Sequence, residues 1–254
     1  MLREHLAQMA SLIFPATCVG CEEPLSITPK HVEEGFHSNW CDDCWIRLPE
    51  PWERGCPKCG SFIKRPEAFG DYCALCRDLK LRFDSTVALG SYHGMLKRMV
   101  LDFKRDMDET LTFQLGRLLG LKLRHYEFFD DIDFLVPVPI HWQRRFKRGF
   151  HAAGVIAEGI HAVTGKPVEN GMLKCERLTE KQGTLSGQKR FRNVKDAFRL
   201  KPLVTVADSK IVIVDDVMTS GATLGELAKM LRKSGALAAH CAVVARGTGG
   251  HRPD

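Results

Sequence analysis

Asp215 and Asp216 follow directly on a four-residue apolar β-branched run, Ile211 to Val214. Thr219, Ser220, Gly221, Ala222 and Thr223 come next. Paired carboxylates accept hydrogen bonds from paired hydroxyls. A glycine and hydroxyl-rich loop opening a helix attracts a phosphate through its amides and the helix dipole. A ribose 5-phosphate offers both groups in one molecule. An ordinary strand-to-helix turn capped by Ser220 or Thr223 is the plainer alternative, but a cap needs only one hydroxyl. It leaves the second carboxylate and the other hydroxyls unexplained. No stretch fits GxxxxGK[ST], and the dinucleotide fingerprint is absent.

The cysteines suggest a second chemistry. Eight of ten occur as four CxxC pairs before residue 77: Cys18/Cys21, Cys41/Cys44, Cys56/Cys59 and Cys73/Cys76. A CxxC knuckle puts two thiolates on one turn, and a tetrahedral zinc site takes four. Four knuckles therefore supply two structural zinc ions. The alternative is one metallated site with the remaining pairs idle. Pro57 and Gly60 suit a tight knuckle. Sequential pairing closes shorter loops and is favoured, although spacing alone also permits interleaved sites. A thioredoxin-type motif would be a single CxxC beside a βαβ unit. His31 and His37 lie between the first two pairs, where a complete thiolate set gives them no necessary role. Cys175 and Cys241 stand alone and read as core residues. Asp42, Asp43, Glu22 and Glu23 near the knuckles favour a bracing or protein-docking module over direct DNA reading.

These residues must be positioned by a chain of 254 residues that is 44% apolar with net charge +6. That length holds one full domain plus a small module. No run approaches the ~20 apolar residues of a membrane span. The first residues lack a signal-peptide core, so the expected location is a reducing cytosol, which disfavours disulfides. Leu2, Leu6, Met9 and Ile13 share one helical face. Residues 141–151 hold Arg144, Arg145, Lys147 and Arg148 with no acid, and 187–195 hold Lys189, Arg190, Arg192 and Lys195 with none. Such runs are usually solvated faces. Beside a phosphate loop they point to an anionic ligand. Trp142, Phe146 and Phe150 sit among them as a single-strand stacking groove would require, or as partial core.

Around residues 78–85 the cysteine pattern ends, which divides the chain into a zinc-ribbon module over 1–80 and a second domain over 81–254. Patterning predicts strands at 86–92, 134–138, 172–177, 211–214 and 240–245, and helices at 94–104, 109–125, 150–163 and 222–234. Strands alternating with helices imply a parallel α/β sheet. Residues 179–193 are polar, with two glycines and no apolar period, and read as a long mobile loop.

The DDVMTSGAT loop resembles the ribose-phosphate signature of type I phosphoribosyltransferases, which bind phosphoribosyl pyrophosphate (PRPP). Three segments together resemble the ComF family. They are VPVPIHWQRRFKRGF, that DDVMTSGAT loop, and a polar loop with Arg177, Gln182, Leu185, Arg190, Asn193, Ala197 and Phe198. Lys104 also matches a family lysine, whereas His151 and Arg105 depart from the usual residues. The resemblance runs from Cys18 to Arg246. It implies a type I phosphoribosyltransferase-like parallel sheet flanked by helices, preceded by a Cys-rich zinc-ribbon module. It further implies that Asp215 and Asp216 grip the ribose hydroxyls and that 219–223 hold the 5′-phosphate. Arg144, Arg145 and Arg148 would face the pyrophosphate, Mg²⁺ would accompany PRPP, and the polar loop would close with Lys189 or Arg190. The family association implies a role in DNA uptake or in using DNA as a nutrient, with single-stranded DNA and uptake-machinery proteins as partners. Nothing in the sequence identifies an acceptor. A phosphoribosyl-transferring enzyme and a non-catalytic DNA-handling protein that reuses the PRPP fold both remain open.

Overall fold

β-branched residues at every position of Ile211–Val214 leave no polar face to turn to solvent, and these four side chains are fully buried on an inner strand of the sheet. The computed structural model describes residues 16–25, 39–50, 53–62, 73, 75–77, 79, 81–143, 149–178 and 187–247. The expected N-terminal helix, His31, His37, residues 144–148 and residues 179–186 lie outside the described residues. Among the described residues no helix is long and apolar enough to cross a membrane.

The chain divides into two compact units, Met1–Leu48 and Pro49–Asp254. The expected 1–80 module straddles this division, with one four-cysteine group in each unit. The first unit contains a short helix, α1 (Asp42–Ile46), whose N-cap Cys41 accepts the Cys44 amide on its sulfur.

In the second unit a four-stranded parallel sheet has the order β1-β6-β5-β2. The strands are β1 (Thr86–Ser91), β2 (Phe134–Pro137), β5 (Lys210–Met218) and β6 (Ala238–Arg246). Between β1 and β2 run α2 (Gly94–Asp106) and α3 (Glu109–Leu123), the latter started by Asp108, whose carboxylate accepts the Leu111 amide at 2.9 Å. α4 (Ala152–Thr164) follows β2 and ends at Gly165, left-handed with φ 71° as expected of a helix stop. α3 and α4 pack closely because Gly116 and Gly159 carry no side chain; a Cβ at Gly116 would lie 2.4 Å from the Ile156 carbonyl oxygen. α6 (Ala222–Lys233) joins β5 to β6.

A two-stranded antiparallel pair, β3 (Leu173–Cys175) and β4 (Phe198–Leu200), brackets the polar segment. β4 had no counterpart in the sequence reading, since three residues are too short for alternation to register. The segment is also not loop throughout. α5 (Gly187–Val194) is helical, anchored by fully buried Val194. Only Phe191 and Val194 are apolar there, too few to mark a period.

From β2 the chain passes through α4 to Val168, which bridges Leu135 in parallel on the far flank. From β5 it passes through α6 to β6 on the opposite flank. The winding therefore reverses between β2 and β5, and open parallel sheets bind ligands outside the C-terminal strand ends at such a point.

Candidate functional site

The acidic pair stands at this reversal. Asp215 and Asp216 lie within β5, not after it, because the ladder to β6 continues to Met218, which pairs with Arg246. The Asp215 carboxylate accepts the Asp216 amide at 2.9 Å. Lys104, near the end of α2, places Nζ 2.8 Å from Asp216 Oδ2. Burial, and secondarily the charge of Asp216, push the Asp215 carboxyl up to about 8, against the opposing pull of that amide and of Lys104. Lys104 supplies the positive charge that faces the pair.

A cavity of about 460 Å³ opens over the pair. Its walls come from α2 (Lys104), the segment after β2 (Val138 to His141), the start of α4 (His151 to Ala153), α5 (Val194), the loop after β5 (Thr219) and the start of α6 (Thr223). His151 Nε2 donates to the Val138 carbonyl at 2.8 Å and holds the β2 segment against α4. Buried Phe150 meets Phe103 edge-on at 6.4 Å, so it belongs to the wall and offers no free stacking face. Trp142 is 65% exposed.

A recess of about 20 Å³ shares Asp215, Thr219 and Thr223 with the cavity and adds Gly221 and Ala222. Gly221 is the α6 N-cap with φ 73°, and no side chain caps that helix. Ser220 Oγ accepts the Ala222 amide at 3.4 Å, a long contact. Neither Ser220 nor Thr223 is therefore the capping residue. The N-terminal first turn, the positive end of a twelve-residue helix, thus lines a recess that Asp215 also lines.

Of the residues singled out by sequence, Asp215, Asp216, Thr219, Gly221, Ala222 and Thr223 come together here. Lys189 and Arg190 lie on α5 and do not line the cavity. Arg144, Arg145 and Arg148 fall outside the described residues, although the segment leading to them lines the cavity. Cys175 and Cys241 are buried as expected, and Cys175 also reaches the cavity wall. Tyr92, His141 and the buried Arg246 were not singled out. A strand-terminal arginine looks like a surface residue in sequence, and nothing marks its long-range partners.

The eight N-terminal cysteines form two sets, Cys18, Cys21, Cys41, Cys44 and Cys56, Cys59, Cys73, Cys76, with the sulfurs of each set within 4.8 Å of one another. Sequential pairing is therefore the arrangement adopted, and all the cysteines are free thiols. In the second set the sulfurs lie 3.5 Å (Cys59–Cys73), 3.7 Å (Cys56–Cys76) and 3.7 Å (Cys73–Cys76) apart. A tetrahedral site with metal–sulfur bonds of ~2.3 Å has edges of ~3.8 Å, so four sulfurs at this spacing fit such an ion. Their protonation is uneven. The hydrogen bond with Cys59 pushes the Cys56 thiol down to about 4, and the same bond pushes Cys59 up. Burial pushes Cys76 up to about 11. Four buried thiols cannot all ionise together, and a central dication is what completes such a donor set. Gly60, with φ 67°, turns the knuckle and lets its amide reach the Cys56 carbonyl at 2.7 Å, as its sequence position suggested.

Comparison with known proteins agrees with this geometry. The phosphoribosyl transferase domain family matches residues 167–254. Competence protein F of Haemophilus influenzae is 26% identical over 87% of this chain and 93% of its own length. DNA utilization protein YhgH of Escherichia coli K12 is 29% identical over 89% of this chain and 95% of its own. Competence protein ComFC of Streptococcus pneumoniae is 25% identical over 77% and 82% respectively.

Proposed function

We propose that the chain is a member of the ComF family of phosphoribosyltransferase-like proteins, on its similarity to competence protein F, the YhgH proteins and ComFC, and that it binds PRPP with Mg²⁺ beside the C-terminal ends of β2 and β5, in the service of DNA uptake or the use of DNA as a nutrient. One observation carries the reading: a carboxylate pair joined by a single loop to a helix-terminal recess, at the reversal point of a parallel sheet.

In this reading Asp215 and Asp216 accept the ribose hydroxyls, and 219–223 seat the 5′-phosphate. Lys104, now on Asp216, exchanges that partner for the incoming pyrophosphate or remains as its neighbour. Arg144, Arg145 and Arg148, on the segment that continues the cavity wall, meet the pyrophosphate. Lys189 and Arg190 approach only when α5 moves inward. Mg²⁺ bound with PRPP would supply neutralisation of the pyrophosphate charge. The chain's own part is to orient the sugar, hold the phosphate on preorganised amides and exclude water. The two four-cysteine sets hold zinc. Single-stranded DNA and uptake-machinery proteins are the expected macromolecular partners, the former through residues 141–151 and 187–195.

Calorimetry with PRPP in the presence and absence of Mg²⁺ tests the reading. Binding that requires Mg²⁺ is expected. Absence of binding at millimolar PRPP would overturn it. Gel-shift titration with a short single strand tests the partner assignment, with affinity expected to fall steeply with salt, at a slope of about −0.7 per phosphate neutralised.

A further inference from the structure

Arg246 ends β6 with its side chain almost wholly buried. Its Nε donates to the carbonyl of Cys59 at 2.7 Å. Its Nη1 donates to the carbonyls of Thr219 at 2.5 Å and Met218 at 3.2 Å, and also to that of Gly247. One guanidinium thus ties the main chain of a metal-ligating cysteine to the main chain that opens the phosphate recess. Met218 is held again by the Gly247 amide at 2.8 Å.

The recess is gripped from its other end by the same module. A Cβ on Gly221 would lie 3.0 Å from Leu81 and 3.5 Å from Phe83, on the segment that leads from the last knuckle to β1. Cys56, Cys59, Cys73 and Cys76 share one continuous core with Phe83, Met218, Ala222 and Leu224. Charge points the same way. Among the described residues no carboxylate forms an ion pair with the Arg246 guanidinium, which is satisfied by carbonyl dipoles. Four thiolates around a dication would carry a net charge of −2, and Cys59, whose carbonyl Arg246 meets, is one of the four.

We infer that Arg246 is a positioning residue that couples metal occupancy of the Cys56, Cys59, Cys73, Cys76 set to the shape of the phosphate recess. PRPP affinity is then set by the ion in that set. By the reciprocity of linked equilibria, bound PRPP in turn holds that ion more tightly. The inference rests on residues 219–223 being the phosphate seat.

Release of zinc to a chromophoric chelator, followed in the full chain with and without PRPP and Mg²⁺, tests it. Two release phases are expected in the wild type. PRPP should slow one about tenfold, within the range of typical coupling between sites, and leave the other unchanged. In the Cys21→Ser, Cys41→Ser variant the PRPP-sensitive phase alone should remain. Arg246→Lys keeps the charge but cannot bridge three carbonyls. It should retain two zinc ions, bind PRPP several-fold more weakly and lose the PRPP effect on zinc release. If PRPP binds the wild type by calorimetry yet changes neither phase, the coupling is overturned while the phosphate seat stands, and this result needs no variant to fold. If calorimetry shows no PRPP binding, the seat itself fails and the inference with it. Loss of the effect equally in Arg246→Lys and in a distant control, Lys210→Ala, would also overturn the role given to Arg246.

Discussion

The two four-cysteine sets use the same spacing motif in different settings. In the first, Cys21 and Cys41 are only partly buried, and the set lies in the small unit that ends at Leu48. Its sulfurs accept nearby main-chain amides, Cys18 from Gly20 and Cys41 and Cys41 from Cys44, a self-contained knuckle pair. In the second, all four cysteines are buried in the core of the sheet unit. The Pro57 carbonyl accepts the Thr86 amide at 3.0 Å, and the Lys58 carbonyl accepts the Thr86 hydroxyl at 3.1 Å, so that knuckle packs on the first residue of β1. A motif repeated in sequence lies in the small unit in one place and has become part of a domain core in the other. Metal chemistry is the same for both; what differs is how much of the fold is lost with the ion.

The largest expected effect separates the two sets. Cys59→Ser with Cys73→Ser should remove one zinc ion of two and destabilise the sheet unit by at least ~4 kcal/mol, since structural zinc contributes directly to folding. For a unit of this size that lowers the midpoint by roughly 8–16 °C. Cys21→Ser with Cys41→Ser should remove the other ion and leave that transition within about 2 °C. Elemental analysis and calorimetric melting read both. Equal shifts from the two double variants would break the distinction.

Next comes Asp215→Asn with Asp216→Asn. Hydrogen bonds to charged acceptors contribute roughly 1.5–3 kcal/mol each, so PRPP affinity should fall by about 10²–10⁴-fold. Zinc content should stay at two. Titration calorimetry and metal analysis on one sample separate a lost ribose grip from a disturbed second set.

A smaller, graded effect follows from Asp215. A carboxyl held up to about 8 in the folded protein binds its proton across the range from its ordinary value near 4 to about 8. The folded state then holds more protons than the unfolded one. This group's contribution to stability is therefore most favourable at low pH and is lost as pH rises through that window. Ligand binding runs the other way, because hydroxyls need the ionised acceptor. PRPP affinity should rise with pH, by up to tenfold per unit, and level off above about 8. A flat profile between pH 6 and 9 would show that Asp215 is ionised throughout or does not contact the ligand.

Sequence made the chemistry visible where the residues are local. Ile211 to Val214, the acidic pair and the recess residues are contiguous, and each CxxC is a four-residue statement. The sheet was legible for the same reason, since every parallel strand is a short apolar run between helical periods. Long-range partners were not. Arg246 meets Cys59 across 187 positions, and Lys104 meets Asp216 across 112. Neither residue type announces a buried or paired role. α5 and β4 were missed because their tertiary contacts, not their own patterns, stabilise them. Val194 and Phe198 are buried, while the residues around them are charged.

The smallest effect compares one backbone position in the two sets. Glu22 follows the second cysteine of its knuckle with φ 65°, and Gly60 follows its own with φ 67°. The left-handed conformation costs a non-glycine residue roughly 1–2 kcal/mol. Glu22→Gly removes that strain but gives the unfolded chain more freedom, a loss of about 0.4–1 kcal/mol. A net stabilisation of the first unit by about 0.5 kcal/mol is expected. Gly60→Ala introduces the strain and also brings a Cβ to 3.1 Å from Thr86 Cγ2 and 3.3 Å from Ala88 Cβ. Both neighbours lie on β1, which cannot shift freely while it is paired along β6. A destabilisation of about 2–3 kcal/mol is expected, since the strain and the crowding add. Chelator competition at the first set and thermal melting of the sheet unit read the two changes separately. Opposite signs would confirm that the first knuckle tolerates a strained residue, whereas the second requires glycine because β1 packs on it. A Gly60→Ala variant as stable as the parent would show that the knuckle stands clear of β1, and the contrast between the two sets would then rest on burial alone.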